Sequence, residues 1–140
     1  MKALLLAAGL GTRLRPLTGT VPKCLVPING KPLMEYWLEM LCRDQNFQVM
    51  INLHYFAEKV QAYLAESPYR KNLTLVHEDR LLGTGGTLLK NQAFFDGEPV
   101  LMIHGDNLSV FDLKAFIQAH LSRPKDCQIT MMTFETDSPH

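Results

Sequence analysis

The sequence predicts an α/β fold: a mainly parallel sheet with helices on both faces. Three observations carry that prediction. Short apolar runs alternate with segments whose apolar residues recur at helical spacing. The strand-like runs are apolar throughout rather than alternately polar, the pattern of strands covered on both sides. Glycine, arginine, lysine and aspartate cluster after the first, third and fourth of these runs. In open parallel sheets, ligands bind outside the carboxyl ends of the strands.

The elements follow in order. Residues 3–7 form the first apolar run, and 9–31 are polar and rich in Gly and Pro. Pro32 is suited to the opening turn of a helix, whose buried face would be Leu33, Trp37, Met40 and Leu41. A second strand is expected over 47–53, a second helix over 57–65 and a third strand over 73–77. Residues 87–92 read as a short helix after a Gly-rich turn at 83–86. Residues 99–104 read as a fourth strand. Asp112 is placed to cap a helix bearing Leu113, Phe116, Ile117 and His120, and 128–134 read as a fifth strand. Trp37 and the methionines are read as core.

Composition limits the function classes. The chain has 140 residues, 46% hydrophobic and 20% charged, which places it with globular domains. A chain of this length buries roughly two-thirds of its unfolded surface and needs no metal or disulfide staple. Its 14 basic residues balance 14 acidic ones, so there is no bulk signature of nucleic-acid binding. Cys24, Cys42 and Cys127 are widely spaced, with no CxxC pair. Reduced thiols fit a cytoplasmic protein. The apolar run at the start is too short to span a membrane.

The first loop carries the densest chemistry. It reads Leu6-Ala7-Ala8-Gly9-Leu10-Gly11-Thr12-Arg13-Leu14-Arg15-Pro16-Leu17-Thr18. Glycines let backbone N–H groups approach phosphate oxygens closely. Arg13 and Arg15 can add charge-assisted contacts, and Lys23 brings an ammonium to the same loop. A dinucleotide fingerprint is not met, because Leu14 stands at its third glycine and Asn52, Leu53 and His54 supply no ribose-binding acid. The P-loop pattern is absent as well.

The longer string is more specific. Leu6-Ala7-Ala8-Gly9-x-Gly11-Thr12-Arg13-Leu14-x-Pro16-Leu17-Thr18 is followed by Pro22-Lys23-x-Leu25-Val26-Pro27 and Gly30-Lys31-Pro32-Leu33. Asn52-Leu53-His54, Leu82-Gly83-Thr84-Gly85-Gly86 and Gly105-Asp106 continue it. This pattern resembles the sugar nucleotidyltransferase (NDP-sugar pyrophosphorylase) family along essentially the whole chain. The enzymes it is most similar to are mannose-1-phosphate guanylyltransferases and glucose-1-phosphate thymidylyltransferases. The resemblance implies a Rossmann-like sheet, the nucleotide-diphospho-sugar transferase fold.

The resemblance also implies a reaction. A sugar 1-phosphate would attack the α-phosphorus of a nucleoside triphosphate, giving an NDP-sugar and pyrophosphate. Leu6, Ala7, Ala8, Gly9, Gly11 and Thr12 would bind the nucleotide. Arg13 and Lys23 would be catalytic, the first on the β and γ phosphates and the second between the α-phosphate and the sugar phosphate. Arg15 is left between a phosphate contact and a solvated side chain. Asp106 would hold Mg²⁺, the implied cofactor. Gly83 and Thr84 would lie over base and ribose. Glu78 would contact the base, and as an acceptor it would suit the paired donors of guanine; read by itself it is equally a solvent-facing strand end. His54, His77 and His104 lack ligand spacing, and Cys24 is read as a buried structural thiol.

Family catalytic domains are longer, so residues 1–140 are expected to be the nucleotide-binding part of such an enzyme, without the sugar-binding part. The run Thr136-Asp137-Ser138-Pro139 reads as the approach to that part. GTP with mannose 1-phosphate is the preferred substrate pair. Thymidylyl or uridylyl transfer to a glucose-type or amino-sugar phosphate is the alternative. A non-catalytic regulatory subunit that binds nucleotide or sugar phosphate is the rival of another class. No nucleic-acid or membrane partner is expected, and an uncovered sheet edge would favour a homo-oligomer.

Overall fold

The computed structural model describes residues 1–135 and 137. They divide into two units, residues 1–108 and residues from 109 onward. In the first, a four-stranded sheet is built from β1 (Lys2–Leu6), β4 (Gln48–Leu53), β5 (Leu73–His77) and β6 (Val100–His104), in the order β5-β4-β1-β6. All neighbouring pairs are parallel. The predicted fold class is therefore the observed one. The predicted strand over 73–77 and helix over 57–65 match β5 and α2 (Ala57–Ala65) to the residue.

Both faces of the sheet are covered, which explains the uninterrupted apolar runs. On one face Leu4 and Met50 pack with Phe95, and Leu6, Val76, Val100 and Met102 join them. Their cover comes from α3 (Gly83–Lys90), through Leu88, and from α4 (Gln92–Phe95), through Phe94 and Phe95. The intervening residues Ala3, Leu5, Val49, Ile51 and Leu53 point to the opposite face and are equally buried. The buried stripes of α1 (Leu33–Leu38) and of α2, Val60 and Leu64, remain to cover it.

Several expectations are corrected. α1 buries Leu33, Met34, Trp37 and Leu38, while Met40 is only half-buried. The helix runs on into one π-turn, Glu39–Arg43, and the extra residue per turn shifts the later side chains out of the simple helical phase. Pro32 precedes this helix, in a two-residue strand. Within the stretch read as irregular, β2 (Pro27–Ile28) and β3 (Lys31–Pro32) pair antiparallel around Asn29-Gly30. Both turn residues have positive φ, as a two-residue hairpin requires. The short helix expected over 87–92 begins at Gly83, so the Gly-rich segment is its first turn rather than a loop.

The second unit contains α5 (Leu113–Leu121), capped as expected by Asp112, whose Oδ1 accepts from the Ala115 amide at 3.0 Å. Arg123 closes the other end by donating to the carbonyls of His120 and Cys127. The fifth strand expected over 128–134 is not present. Among the described residues of this unit no strand offers it a hydrogen-bonding ladder, and Ile129, Met131 and Phe134 are 78%, 77% and 87% exposed. An apolar run without a partner strand has no sheet to join. Of the final run, Thr136, Ser138 and Pro139 lie outside the described residues.

The loop after β1 is shaped by Gly11 and Thr18. Gly11 has φ +63°, and a Cβ there would sit 3.0 Å from Thr18 Cγ2. Thr18 is fully buried, and its hydroxyl donates to the Gly11 carbonyl at 2.6 Å. Tyr55 donates to the Thr18 carbonyl and Lys59 to that of Thr20, so the segment after β4 and α2 hold this loop down. Gly11→Ala is expected to destabilise the protein by about 1–2 kcal/mol from backbone conformation alone, with more from the clash. Denaturant unfolding checks this; an unchanged midpoint would show that the turn relaxes freely.

Candidate functional site

The site grows from the last residue row of the sheet. Val76, Asn52, Leu6 and His104 lie side by side in register across the four strands. They share one face because strand residues alternate sides. Behind them Leu4, Met50 and Met102 are apolar; at this row Asn52 and His104 bring polar side chains to the centre of the sheet. A cleft of about 200 Å³ opens here, lined by Leu6, Ala7, Ala8, Gly9, Lys23, Cys24, Asn52, Glu78, Leu81, Gly83, Thr84, His104 and Asp106.

One wall is a buried polar knot. Asn52 Oδ1 accepts from the Ala7 amide at 2.8 Å, and Asn52 Nδ2 donates to Glu78 Oε1 at 3.1 Å. The Thr87 hydroxyl reaches the same Oε1 at 2.5 Å and the Gly83 carbonyl at 2.9 Å. The Leu82 amide donates to Glu78 Oε2 at 3.2 Å. His54 Nδ1 lies 2.7 Å from the Glu78 carbonyl oxygen, which can only accept, so that nitrogen carries a proton. Glu78 is 2% exposed and is not a solvent-facing strand end. Burial pushes its carboxyl up, but hydrogen bonds from Thr87, Asn52 and Leu82, with the Lys90 charge, outweigh burial and hold it below the ordinary value.

The other wall is ionic. Lys23 Nζ and Asp106 Oδ2 meet at 2.7 Å and join loops 83 residues apart in the chain. Asp106 stands just past β6. Gly105 donates to the Leu6 carbonyl at 2.8 Å, so close that a Cβ would lie 3.0 Å from that oxygen. Trp37 Nε1 donates to the Asn107 carbonyl at 2.8 Å. Asn107, with its amide nitrogen toward the acceptors, donates to Asp106 Oδ1 at 2.9 Å and to the His104 carbonyl at 3.1 Å. Cys24 is buried as expected, and burial pushes its thiol up to about 12, so it stays protonated at neutral pH.

The cleft brings together Leu6, Ala7, Ala8, Gly9, Lys23, Glu78, Gly83, Thr84 and Asp106 of the residues expected from sequence. Gly11, Thr12 and Arg13 lie in the turn beyond its lining, with Thr12 and Arg13 exposed. Asn52 and Thr87 were not expected as site residues. Asn52 gave a signal, a polar residue ending an apolar strand, but Thr87 sits within a helical run and gave none.

Comparison with known proteins shows the family. The nucleotidyl transferase family model matches residues 2–140. The chain belongs to the nucleotidyl transferase family. It is 36% identical over 145 residues to UTP–glucose-1-phosphate uridylyltransferase of Synechocystis sp., covering 95% of this chain and 37% of that protein. It is 30% identical over 131 residues to D-glycero-alpha-D-manno-heptose 1-phosphate guanylyltransferase of Aneurinibacillus thermoaerophilus, covering 94% of this chain and 57% of that one. The crystal structure of HddC from Yersinia pseudotuberculosis complexed with GMP-PN matches with a TM-score of 0.71 and 32% identity, over 86% of this chain and 54% of that one. The chain thus spans well under two-thirds of each of these proteins. No helix among the described residues is long and apolar enough to cross a membrane.

The knot contributes to the acid response of this nucleotidyl transferase family member. A carboxyl held below its unfolded value stabilises the fold above that value and loses the contribution as pH falls through the folded one. Glu78→Ala, which takes the carboxylate acceptor from the Asn52 carboxamide and the Leu82 amide while Thr87 keeps the Gly83 carbonyl, is expected to cost about 1–3 kcal/mol at pH 7. That difference from wild type should narrow below about pH 4, where the unfolded carboxyl protonates. Denaturant unfolding of both proteins between pH 7 and 3 measures it. A constant difference across that range would mean that Glu78 is not held ionised.

Proposed function

We propose that the cleft binds a nucleoside triphosphate and serves nucleotidyl transfer to a sugar 1-phosphate. The observation that carries this reading is the convergence of Lys23 and Asp106, from loops 83 residues apart, beside the Gly9 turn. In the reaction a phosphate oxygen of the sugar 1-phosphate bonds to the α-phosphorus. The bond from that phosphorus to the bridging oxygen breaks, and pyrophosphate leaves with the electron pair. The attacking phosphate is already ionised, so no general base is needed. What the protein must supply is alignment and charge stabilisation.

The backbone from Leu6 to Thr12 would receive the triphosphate. Lys23 would bridge the α-phosphate and the incoming phosphate, exchanging Asp106 for phosphate oxygens as its partners. Arg13, exposed on the turn, would fold over the β and γ phosphates. Gly83 and Thr84 would lie against base and ribose.

The residues present fit a magnesium ion. Asp106 offers a half-exposed carboxylate at the cleft mouth. A hard cation that keeps several waters and takes phosphate oxygens needs only one or two protein carboxylates. When bound, Mg²⁺ would neutralise phosphate charge and help orient the triphosphate.

Guanine is the base we favour, with a manno-configured sugar phosphate, because guanylyltransferases are prominent among the relatives. Glu78 supports an acceptor-lined base site, but three of its roughly four acceptor positions are filled internally. It can meet one base N–H without ambiguity, not two, so the paired donors of guanine gain less from it than the sequence suggests. A uridylyl reading therefore stays the alternative, supported by the relative from Synechocystis. Nucleotide-sugar supply to polysaccharide synthesis, in the cytoplasm, is the matching role.

Thermal and denaturant unfolding with Mg²⁺ and each of GTP, dTTP, UTP, CTP and ATP tests the reading. At a hundred times its dissociation constant the bound nucleotide should stabilise the fold by about 2.7 kcal/mol. GTP is expected to act, only with Mg²⁺. Lys23→Ala should abolish the effect while changing basal stability by about 1 kcal/mol, since its ion pair is only partly buried. Pyrophosphate release in the presence of mannose 1-phosphate then reads the chemistry. Indifference to all five triphosphates, or a full response in Lys23→Ala, would reject the proposed site.

A further inference from the structure

The Ala7 amide is the first backbone donor past the end of β1, as the chain turns toward the 9–12 segment. It is not paired with a neighbouring strand. It donates to Asn52 Oδ1 at 2.8 Å, and the other end of that carboxamide donates to Glu78 Oε1 at 3.1 Å. Asn52 is 4% exposed, so neither bond competes freely with water. Glu78 in turn holds Leu82 and Thr87, at the start of α3. One side chain on β4 therefore joins the end of β1 to the start of α3.

We propose that Asn52 is a positioning residue, whose carboxamide sets the spacing between the turn that would receive the triphosphate and the wall that would receive the base. This rests on the nucleotide-binding reading above. An amide is the one uncharged group of this size that accepts on one side and donates on the other. Aspartate at position 52 would still accept from Ala7 but would set a second carboxylate against Glu78, and the two repel wherever both are ionised. The other charged or titratable groups around the pair are Lys90, which acts on Glu78 through space, His54 on the Glu78 carbonyl, His104 in the same sheet row, and the Lys23–Asp106 pair across the cleft.

The test is Asn52→Asp together with the exchanged pair Asn52→Asp/Glu78→Gln. In the exchanged pair the carboxamide, now at position 78, donates to the carboxylate, now at position 52, and accepts from the Leu82 amide. The Thr87 hydroxyl turns to the Gly83 carbonyl, already 2.9 Å away. Every partner is satisfied with the polarity reversed. Two readouts are taken on protein shown to be folded: affinity for inorganic triphosphate with Mg²⁺, which carries no base, and hydrogen exchange at the Ala7 and Leu82 amides without ligand.

At pH 8, Asn52→Asp should bind triphosphate about tenfold more weakly and exchange both amides about tenfold faster, the scale of one lost hydrogen bond. Both should recover as the pH is lowered and the carboxylates share a proton. The exchanged pair should lie within about threefold of wild type at pH 8 on both readouts. Wild-type exchange in Asn52→Asp, wild-type affinity in that variant, or an exchanged pair as impaired as the single variant would each overturn the inference. Should Asn52→Asp not fold, the exchanged pair decides alone, and its own failure to fold also counts against the inference. If wild type binds no triphosphate, the nucleotide reading fails instead, and amide exchange still decides whether Asn52 ties the end of β1 to the start of α3.

Discussion

The constraint on which the rest of the site depends is the need to satisfy buried polar groups where a fully covered parallel sheet ends. In the two central strands and β6, the row of Leu4, Met50 and Met102 on the α3 face is apolar, and neighbouring strands pair in parallel register up to it. One row further the strands diverge into loops, and Ala7 must find an acceptor. Asn52 supplies it from inside the sheet, and Glu78 takes up the donor that remains. Among the described residues no buried side-chain nitrogen or oxygen lacks a partner. The loops are therefore fixed by the same requirement that fixes the core, and the cleft is the space that their fixed positions leave.

The opposite wall uses a different force. Lys23 is 20% and Asp106 39% exposed, so their pair is still open to solvent and adds modestly to stability. What it does is bring two unlike charges to one point. Trp37 and Asn107 hold the turn that bears Asp106, while Gly11 and Thr18 hold the loop that bears Lys23. Stability thus resides behind the two charged groups rather than in their bond, which leaves both free to change partners.

How much was legible from sequence follows from these two walls. The buried strands and α2 announce themselves by uninterrupted apolarity and by period, so their bounds could be read closely. The start of α3 could not. Gly83, Gly85 and Gly86 are poor helix formers, and Glu78, five residues before Gly83, holds the Leu82 amide at the helix start. The Asn29-Gly30 hairpin did carry its signal, an Asn-Gly pair, but it lay inside a stretch already read as loop. The residues from 128 to 134 had the composition of a strand without the neighbour a strand needs. In the site, Lys23, Asp106 and the glycine turn were visible because charge and glycine are conspicuous after strands. Asn52 was first noticed only for not being an acid, since a carboxamide's role depends on what faces it on both sides.

Trp37 has a consequence of another kind. It is the chain's single tryptophan, its ring is 4% exposed in the core, and its one polar atom reaches the carbonyl next along from Asp106. The indole's excited state is sensitive to a hydrogen bond at that nitrogen, while its ring is shielded from water. The protein's tryptophan fluorescence therefore comes from one rigid source wired to the charged end of the cleft. Any rearrangement of the turn at 105–107 would be written into its emission, so the molecule carries its own optical gauge of the site without an added label.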